Sequence, residues 1–328
     1  DLKQGKHIRQ ITTGEHEITG MQVTAQGLLA ARNDINHAAE LYLYNQKTGE
    51  GRKMTAVNDE IYAKIRMPKI EKRWIQTSDG KKMLTWVLLP PDFDRNKKYP
   101  ALLYAQGGPQ SAVSPFYSYR WNFQLMASKG YVVIAPNRRG LPTFGVKWNE
   151  DISKDWGGQA IQDYLSAVDE MKKESYIDAK NIGAVGASHG GYAVYMLAGV
   201  HENRFATFIS HCGMFDMKSW YLSTEELFFA NWDLGGNFWS EPVPKSFTEY
   251  DPINYVDKWN TPIMVIHGAK DFRVPYNQGV EAFQAAKLRG IPSRFLLFPD
   301  EGHWVLSRQN SMVWHTEFYR WLDKYLND

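Results

Sequence analysis

The chain has 328 residues, enough for one large α/β domain and a smaller piece. Hydrophobic residues at 43%, charged residues at 23% and a net charge of +2 with both signs interspersed leave no basic stripe for nucleic acid and no acidic tail. The single cysteine, Cys212, excludes an intrachain disulfide and a Cys-rich metal site, and no apolar run approaches the ~18 residues of a membrane span.

The chain begins at Asp1 without a methionine or a signal-like segment, so a trimmed N-terminus is expected. Residues 1–70 differ in character from the rest. Gly27–Arg32 and Glu40–Tyr44 are strand-like, Asn45–Gly51 is a loop of turn formers, and Arg52–Thr55 can return as a hairpin partner. A few antiparallel strands bury too little apolar surface to stand alone. Two readings fit them: the last blade of a β-propeller, or a β extension packed on the main domain.

Residues 71–328 follow another rhythm. Lys82–Pro90, Ala101–Ala105, Tyr131–Ala135, Ile182–Gly186, Ala206–Ser210, Ile263–His267 and Arg294–Phe298 are mostly short and continuously apolar, as strands covered on both faces should be. Helical patterns separate several of them. Ile161, Tyr164, Leu165, Val168 and Met171 recur at 3–4 spacing within Gln159–Lys173. A less regular run carries Val280, Phe283, Ala286 and Leu288, and the last runs from Trp314 to Tyr325. Strands alternating with helices predict an α/β fold with a mainly parallel sheet. Ligands bind such sheets at the carboxyl ends of the strands, so residues just after each strand are the candidates.

One such stretch carries chemistry. Ile182-Gly-Ala-Val-Gly-Ala-Ser-His-Gly-Gly-Tyr192 passes from a strand through Gly-x-Ser-x-Gly into the apolar run Tyr192–Val200, which has the length of a buried helix. Strand, tight turn and helix are the context in which this pattern is a nucleophile elbow presenting Ser188. A serine hydroxyl needs a base to take its proton, and the base needs an orienting acid. In this fold the order along the chain is Ser, acid, His. Asp271 follows the strand ending at His267, and His303 follows the strand ending at Phe298. The predicted roles are Ser188 nucleophile, His303 general base and then acid, and Asp271 holding the imidazole tautomer. Of the competing groups, His211 and His267 read as satisfied histidines at the core edge, and Asp300 and Glu301 as part of a solvated loop. The oxyanion needs donors as well. The His189 N–H directly follows the nucleophile, and Gly107 and Gly108 expose backbone N–H groups after the strand Ala101–Ala105.

Gln106-Gly-Gly-Pro109, Asn137-Arg-Arg-Gly140, Asp155-Trp-Gly-Gly158, Gly186–Tyr192, His267–Pro275 and Glu301-Gly-His303 together resemble the catalytic domain of the prolyl oligopeptidase family of serine peptidases. The resemblance covers residues 75–328. It is nearest to the family's dipeptidyl peptidase V branch, with acylaminoacyl peptidases close behind. It implies an α/β-hydrolase fold, an N-terminal propeller gating the site and release of dipeptides from free N-termini of oligopeptides. No metal or organic cofactor is implied. Several family members place a tyrosine where Gln106 stands, so the Gly107 or Gly108 N–H is the expected first oxyanion donor. The resemblance further suggests that Tyr192, Phe215, Trp220, Tyr221 and Val274 hold the residue before the scissile bond. A dipeptidyl peptidase must also anchor the free amine, often through carboxylates, which in related dipeptidyl peptidases come from the propeller. Glu225 and Glu226 are candidates, but Ser223-x-x-Glu226 also reads as a capping box at a helix start. Similarity to some members suggests a periplasmic or secreted protein, with a cytoplasmic one as the alternative, and family precedent allows a homodimer. An acylaminoacyl peptidase or a carboxylesterase on the same fold is the nearest alternative activity. A non-catalytic binding protein of the same shape is the most distant.

Overall fold

The computed structural model describes residues 9–327, which form two sheets. The smaller is an antiparallel meander of β1 (Glu17–Thr24), β2 (Gly27–Asn33), β3 (Glu40–Tyr44) and β4 (Gly51–Lys53), paired in that order. The sequence reading passes over β1, whose Gly20 and exposed Met21 and Val23 break apolar alternation. The meander's own core is small, with Leu28, Ala30 and Tyr44 at its centre. It also leans on the larger unit. Ser114 Oγ donates to Glu17 Oε1 at 2.8 Å, Gln124 Nε2 donates to the Asn36 carbonyl at 2.8 Å, and Ile35 is buried in the larger unit's core.

The larger sheet contains β5 (Lys69–Gln76), β6 (Lys82–Leu89), β7 (Tyr99–Ala105), β8 (Val132–Pro136), β9 (Ile177–Ala187), β10 (Thr207–His211), β11 (Ile263–Gly268) and β12 (Ser293–Phe298). Their spatial order is β12-β11-β10-β9-β7-β8-β6-β5, parallel from β12 to β8 and antiparallel beyond. The helices are α1 (Asp59–Tyr62), α2 (Phe123–Ser128), α3 (Val146–Glu150), α4 (Gln159–Met171), α5 (His189–Val200), α6 (Met217–Tyr221), α7 (Leu227–Asp233), α8 (Asn277–Leu288) and α9 (Arg308–Leu326).

Alternation along the central strands explains their continuous apolarity. Leu103, Ile134 and Ala184 enter one core, shared with α4 and α5. Leu102, Val133 and Val185 enter the other, shared with Trp314, Phe318 and Leu322 of α9. Both faces are covered, so the central strands are mostly apolar on either, with buried Thr207, Ser210, His211 and His267 as polar exceptions. β12 departs from this expectation: Arg294 and Leu297 are exposed because the strand lies at the sheet edge. Near the opposite end, buried Arg139 pairs with buried Asp163 of α4 at 2.9 Å and with Asp79, tying the end of β8 to α4 and to the turn before β6. The fold is an α/β hydrolase. The carboxyl ends of β7, β9, β10, β11 and β12 lead into Gln106, Ser188, Cys212, Asp271 and the loop that carries His303.

Candidate active site

Ser188 sits between β9 and α5 with φ 58° and ψ −123°, a region that non-glycine residues rarely occupy. Its N–H donates to the His211 carbonyl at 2.9 Å, and its carbonyl accepts from Tyr192 N–H at 2.9 Å, which starts the helix. The neighbouring glycines allow the crossing. A Cβ on Gly186 would lie 2.5 Å from the Gly190 carbonyl oxygen, and one on Gly190 would strike the carbonyl of Ala105. The second glycine, Gly191, packs against the next strand's exit, where a Cβ would lie 2.7 Å from Gly213 Cα.

Asp271 and His303 meet although they leave different strands. His303 Nδ1 donates to Asp271 Oδ2 at 2.7 Å, so its Nε2 is the nitrogen free to carry protons. The other Asp271 oxygen accepts the Arg273 and Val274 N–H groups at 3.0 and 2.9 Å. Burial pushes the Asp271 carboxyl up, but nearby His267 and hydrogen-bonded His303 outweigh it and hold its pKa well below the ordinary carboxylate range. Burial likewise opposes charge on His303. The sulfur of Cys212 and the Asp271 carboxylate overcome that and raise its pKa above the usual imidazole value. Ser188 and His303 line the same cavity, yet no hydrogen bond joins them among the described residues, and Nε2 has Cys212 Sγ at 4.0 Å. Such contacts commonly tighten only when substrate arrives. Cys212, Asp271 and His303 place ligand-type atoms within 4.8 Å of one another. Since Asp271 already holds Nδ1, a soft metal ion there would be left with the thiol and Nε2.

The loop after β7 closes the other side of the serine. Gly107 lies so near that a Cβ would sit 2.6 Å from the Ala187 carbonyl oxygen and 3.7 Å from Ser188 Cβ. Gly108 instead faces Ser111, and its φ of 63° is a glycine conformation. The Gln106 amide is held within the loop, its Nε2 donating to Ser111 Oγ at 3.1 Å. What holds this loop is Arg138, quoted in the Asn-Arg-Arg-Gly motif but given no role from sequence. Fully buried, it donates to the Pro109 and Arg139 carbonyls at 2.8 and 2.6 Å and to the Gln106 carbonyl at 3.3 Å. Its Nη2 also lies 3.0 Å from His189 Nδ1. Burial and that guanidinium keep the His189 pKa well below its ordinary value, so the ring is neutral and accepts. The His189 N–H, at the first turn of α5, is one of the helix's orphan donors and lies at the positive end of its dipole.

Ser188 opens on a cavity of about 330 Å³. Of the residues expected to hold the side chain before the scissile bond, Trp220 and Val274 line it. Tyr192, Phe215 and Tyr221 do not, a correction to the expectation. The Tyr192 hydroxyl donates to the Tyr250 carbonyl at 2.7 Å, Phe215 packs on Tyr195 and Trp259, and the Tyr221 hydroxyl reaches Asn231 at 2.9 Å. Their places are taken by Trp156, Met214 and Phe229, which sequence did not single out. Trp156 was within reach, since it belongs to the Asp-Trp-Gly-Gly motif.

Three further expectations change. Ser223 caps nothing: its hydroxyl donates backward to the Ser219 carbonyl at 2.7 Å, while Glu226 precedes α7 without a capping bond, lines the cavity and pairs with Arg273 Nε at 2.8 Å. Glu301 is buried rather than solvated, accepting the Leu306 and Ser307 N–H groups at 3.0 and 3.1 Å and so shaping the loop around His303. His267 is anchored through Nε2 to the Val274 carbonyl at 2.7 Å, but neither ring nitrogen of buried His211 has a partner among the described residues.

The prolyl oligopeptidase family model matches residues 117–328, which contain the elbow, Asp271 and His303. The chain belongs to that family. Among the relatives within it, the dipeptidyl-peptidase 5 of Porphyromonas gingivalis is 54% identical over 327 residues, 99% of this chain and 48% of the relative. The dipeptidyl-peptidase 5 of Porphyromonas endodontalis is 50% identical over 98% of this chain and 47% of the relative. The chain thus spans about half the length of the curated relatives it matches. Among solved structures, an acylaminoacyl peptidase in complex with Z-Gly-Gly-Phe-chloromethyl ketone superposes with a TM-score of 0.89 at 25% identity, over 97% of this chain and 51% of the other. P. gingivalis dipeptidyl peptidase 4, at 18% identity and a TM-score of 0.78 over 98% and 52% of the two chains, shares the fold.

Proposed function

We propose that the chain is the catalytic part of a serine peptidase that releases dipeptides from the free N-termini of oligopeptides. One observation carries the chemistry: the Asp271–His303 hydrogen bond stands in the same cavity as a serine on a left-handed elbow. Ser188 Oγ attacks the peptide carbonyl and passes its proton to His303 Nε2. The oxyanion is met by the His189 N–H and, of the two loop glycines, by that of Gly107, the one packed against Ser188. His303 then protonates the leaving amine, and water repeats the cycle on the acyl-enzyme. Asp271 keeps the proton on Nδ1 throughout.

The dipeptidyl reading is supported by likeness to the two dipeptidyl-peptidase 5 relatives and by the cavity walls. Trp156, Trp220, Phe229 and Val274 suit an apolar side chain before the scissile bond. Glu226 supplies a carboxylate of the sign a free α-amine needs, shared with Arg273. The test is kinetic. A free-amine dipeptidyl anilide should be hydrolysed in preference to its N-acetylated form and to a short ester, and a fluorophosphonate should label the protein but not its Ser188→Ala variant. Preference for the blocked peptide overturns the dipeptidyl reading. Absence of labelling overturns the catalytic one.

The four-stranded meander supports our reading of residues 1–70 as part of a propeller blade, in a protein about twice this length. A natural mature chain no longer than this one, by mass spectrometry, refutes that. We also propose, by family likeness, a periplasmic or secreted protein, with a cytoplasmic one as the alternative, that forms a homodimer; fractionation and light scattering test both. No helix of the described residues is long and apolar enough to cross a membrane.

A further inference from the structure

The cavity holds two arginines in different electrostatic states. Arg273, beside Trp220, is neutralised by Glu225 and Glu226. Arg120 is not: among the described residues it has no carboxylate within ion-pair distance, and its buried Nε has no hydrogen-bond partner. Its guanidinium lies over the next aromatic after the base, with Cζ 3.6 Å from the Trp304 ring centre. That cation–π contact holds the guanidinium in place without using its N–H groups, which are left for a ligand. Burial lowers its pKa somewhat, yet a guanidinium stays charged at any working pH. A half-buried cation without an acceptor requires explanation.

Position says which part of a substrate it meets. Trp156, Trp220 and Phe229 form one aromatic group in the cavity wall, the group to which the proposed function assigns the side chain before the scissile bond. Arg120 and Trp304 form a second group in the same cavity, joined to His303, whose ring is 5.6 Å from that of Trp304. His303 must hand its proton to the leaving nitrogen, so the leaving chain passes this side. One extended residue spans about 3.5 Å, which keeps a carboxylate on the first or second leaving residue near the site.

We propose that Arg120, held on Trp304, recognises a carboxylate on the leaving side of the scissile bond, foremost the free C-terminus of a tripeptide. The inference rests on the dipeptidyl reading and makes the protein selective for short peptides with an open C-terminus. Planar guanidinium and carboxylate pair through two parallel hydrogen bonds, a contact that an amide cannot reproduce.

The test compares kcat/KM for one tripeptide as its free acid and as its C-terminal amide, in the wild type and in Arg120→Gln. The acid-to-amide ratio cancels differences in folded fraction and general activity. The wild type should favour the acid by about tenfold or more, the preference should fall with added salt, and Arg120→Gln should bring the ratio near one. A wild-type ratio near one, or a variant that keeps the preference, overturns the proposal. A third peptide, amidated but with aspartate after the scissile bond, separates the two sources of the carboxylate. Rescue by it extends the contact to side chains, and failure restricts the contact to the C-terminus, both within the proposal. If no free-amine peptide is cleaved, the dipeptidyl reading fails, and the same acid and amide with an acetylated N-terminus carry the Arg120 comparison.

Discussion

Arg138 never touches the reacting atoms in this arrangement, yet its loss should cost both stability and rate. Arg138→Met keeps much of the side-chain volume and removes every donor. The Gln106, Pro109 and Arg139 carbonyls and His189 Nδ1 then lose a hydrogen-bond partner in a buried place. Each unsatisfied acceptor costs ~1–3 kcal/mol. Removing a buried charge that has no carboxylate partner among the described residues returns part of this. The net is a destabilisation of about 2–4 kcal/mol, readable as a shift in urea midpoint. The rate effect has a separate origin. With its carbonyls released, the loop no longer presses Gly107 against Ser188, and an oxyanion donor moves out of place. Deleting such a donor costs about 10²–10³ in kcat. Displacing one should cost about 10², with KM changed little, because the donor matters most once charge has developed. A boronic acid, which forms a tetrahedral adduct, should weaken far more than a dipeptide product. The reasoning is refuted by a folded Arg138→Met enzyme with wild-type kcat, or by equal weakening of both ligands.

Two further outcomes follow from the charges around the base. Because the His303 pKa is raised, the imidazolium persists to higher pH, and kcat/KM should climb through a limb centred above the ordinary 6.5. Cys212→Ala removes one of the raising neighbours, so the limb should move toward acid; a pH profile shows whether it does. Asp271→Asn cannot hold the proton on Nδ1 as a carboxylate does, and kcat should drop by about 10⁴ with fluorophosphonate labelling slowed in step.

Legibility varied with the kind of information. The elbow could be read because Gly186, Gly190 and Gly191 are demanded by backbone approaches within a few residues of Ser188. Asp271 and His303 could be placed because a parallel strand and its exit loop are local patterns. Glu226 could not. A serine three residues before a glutamate looks the same whether it opens a helix or, as here, closes one.

The sequence by itself determined a mainly parallel α/β sheet and the order of the three triad candidates, since strand periodicity and glycine-dependent turns are written locally, and the resemblance of its motifs pointed to the hydrolase fold and the family. Only the tertiary structure decided the strand order with its antiparallel edge, the holding of the oxyanion loop by Arg138 and the contrast between Arg273, paired with carboxylates, and Arg120, which has none among the described residues. It also decided which aromatics form the cavity. Residues 192–200 are apolar on nearly every side, and Met214, Phe215, Met217, Trp220 and Tyr221 crowd the next segment, so composition marks these side chains as buried without saying what each faces. A side chain becomes wall or core according to the element packed opposite it, and that element comes from elsewhere in the chain. Trp156 reaches the site from before α4, and Trp304 from the loop before α9. Charge behaves the same way. Arginine is ionised wherever it stands, but whether it is spent on a neighbour or left for a ligand depends on carboxylates far off in sequence.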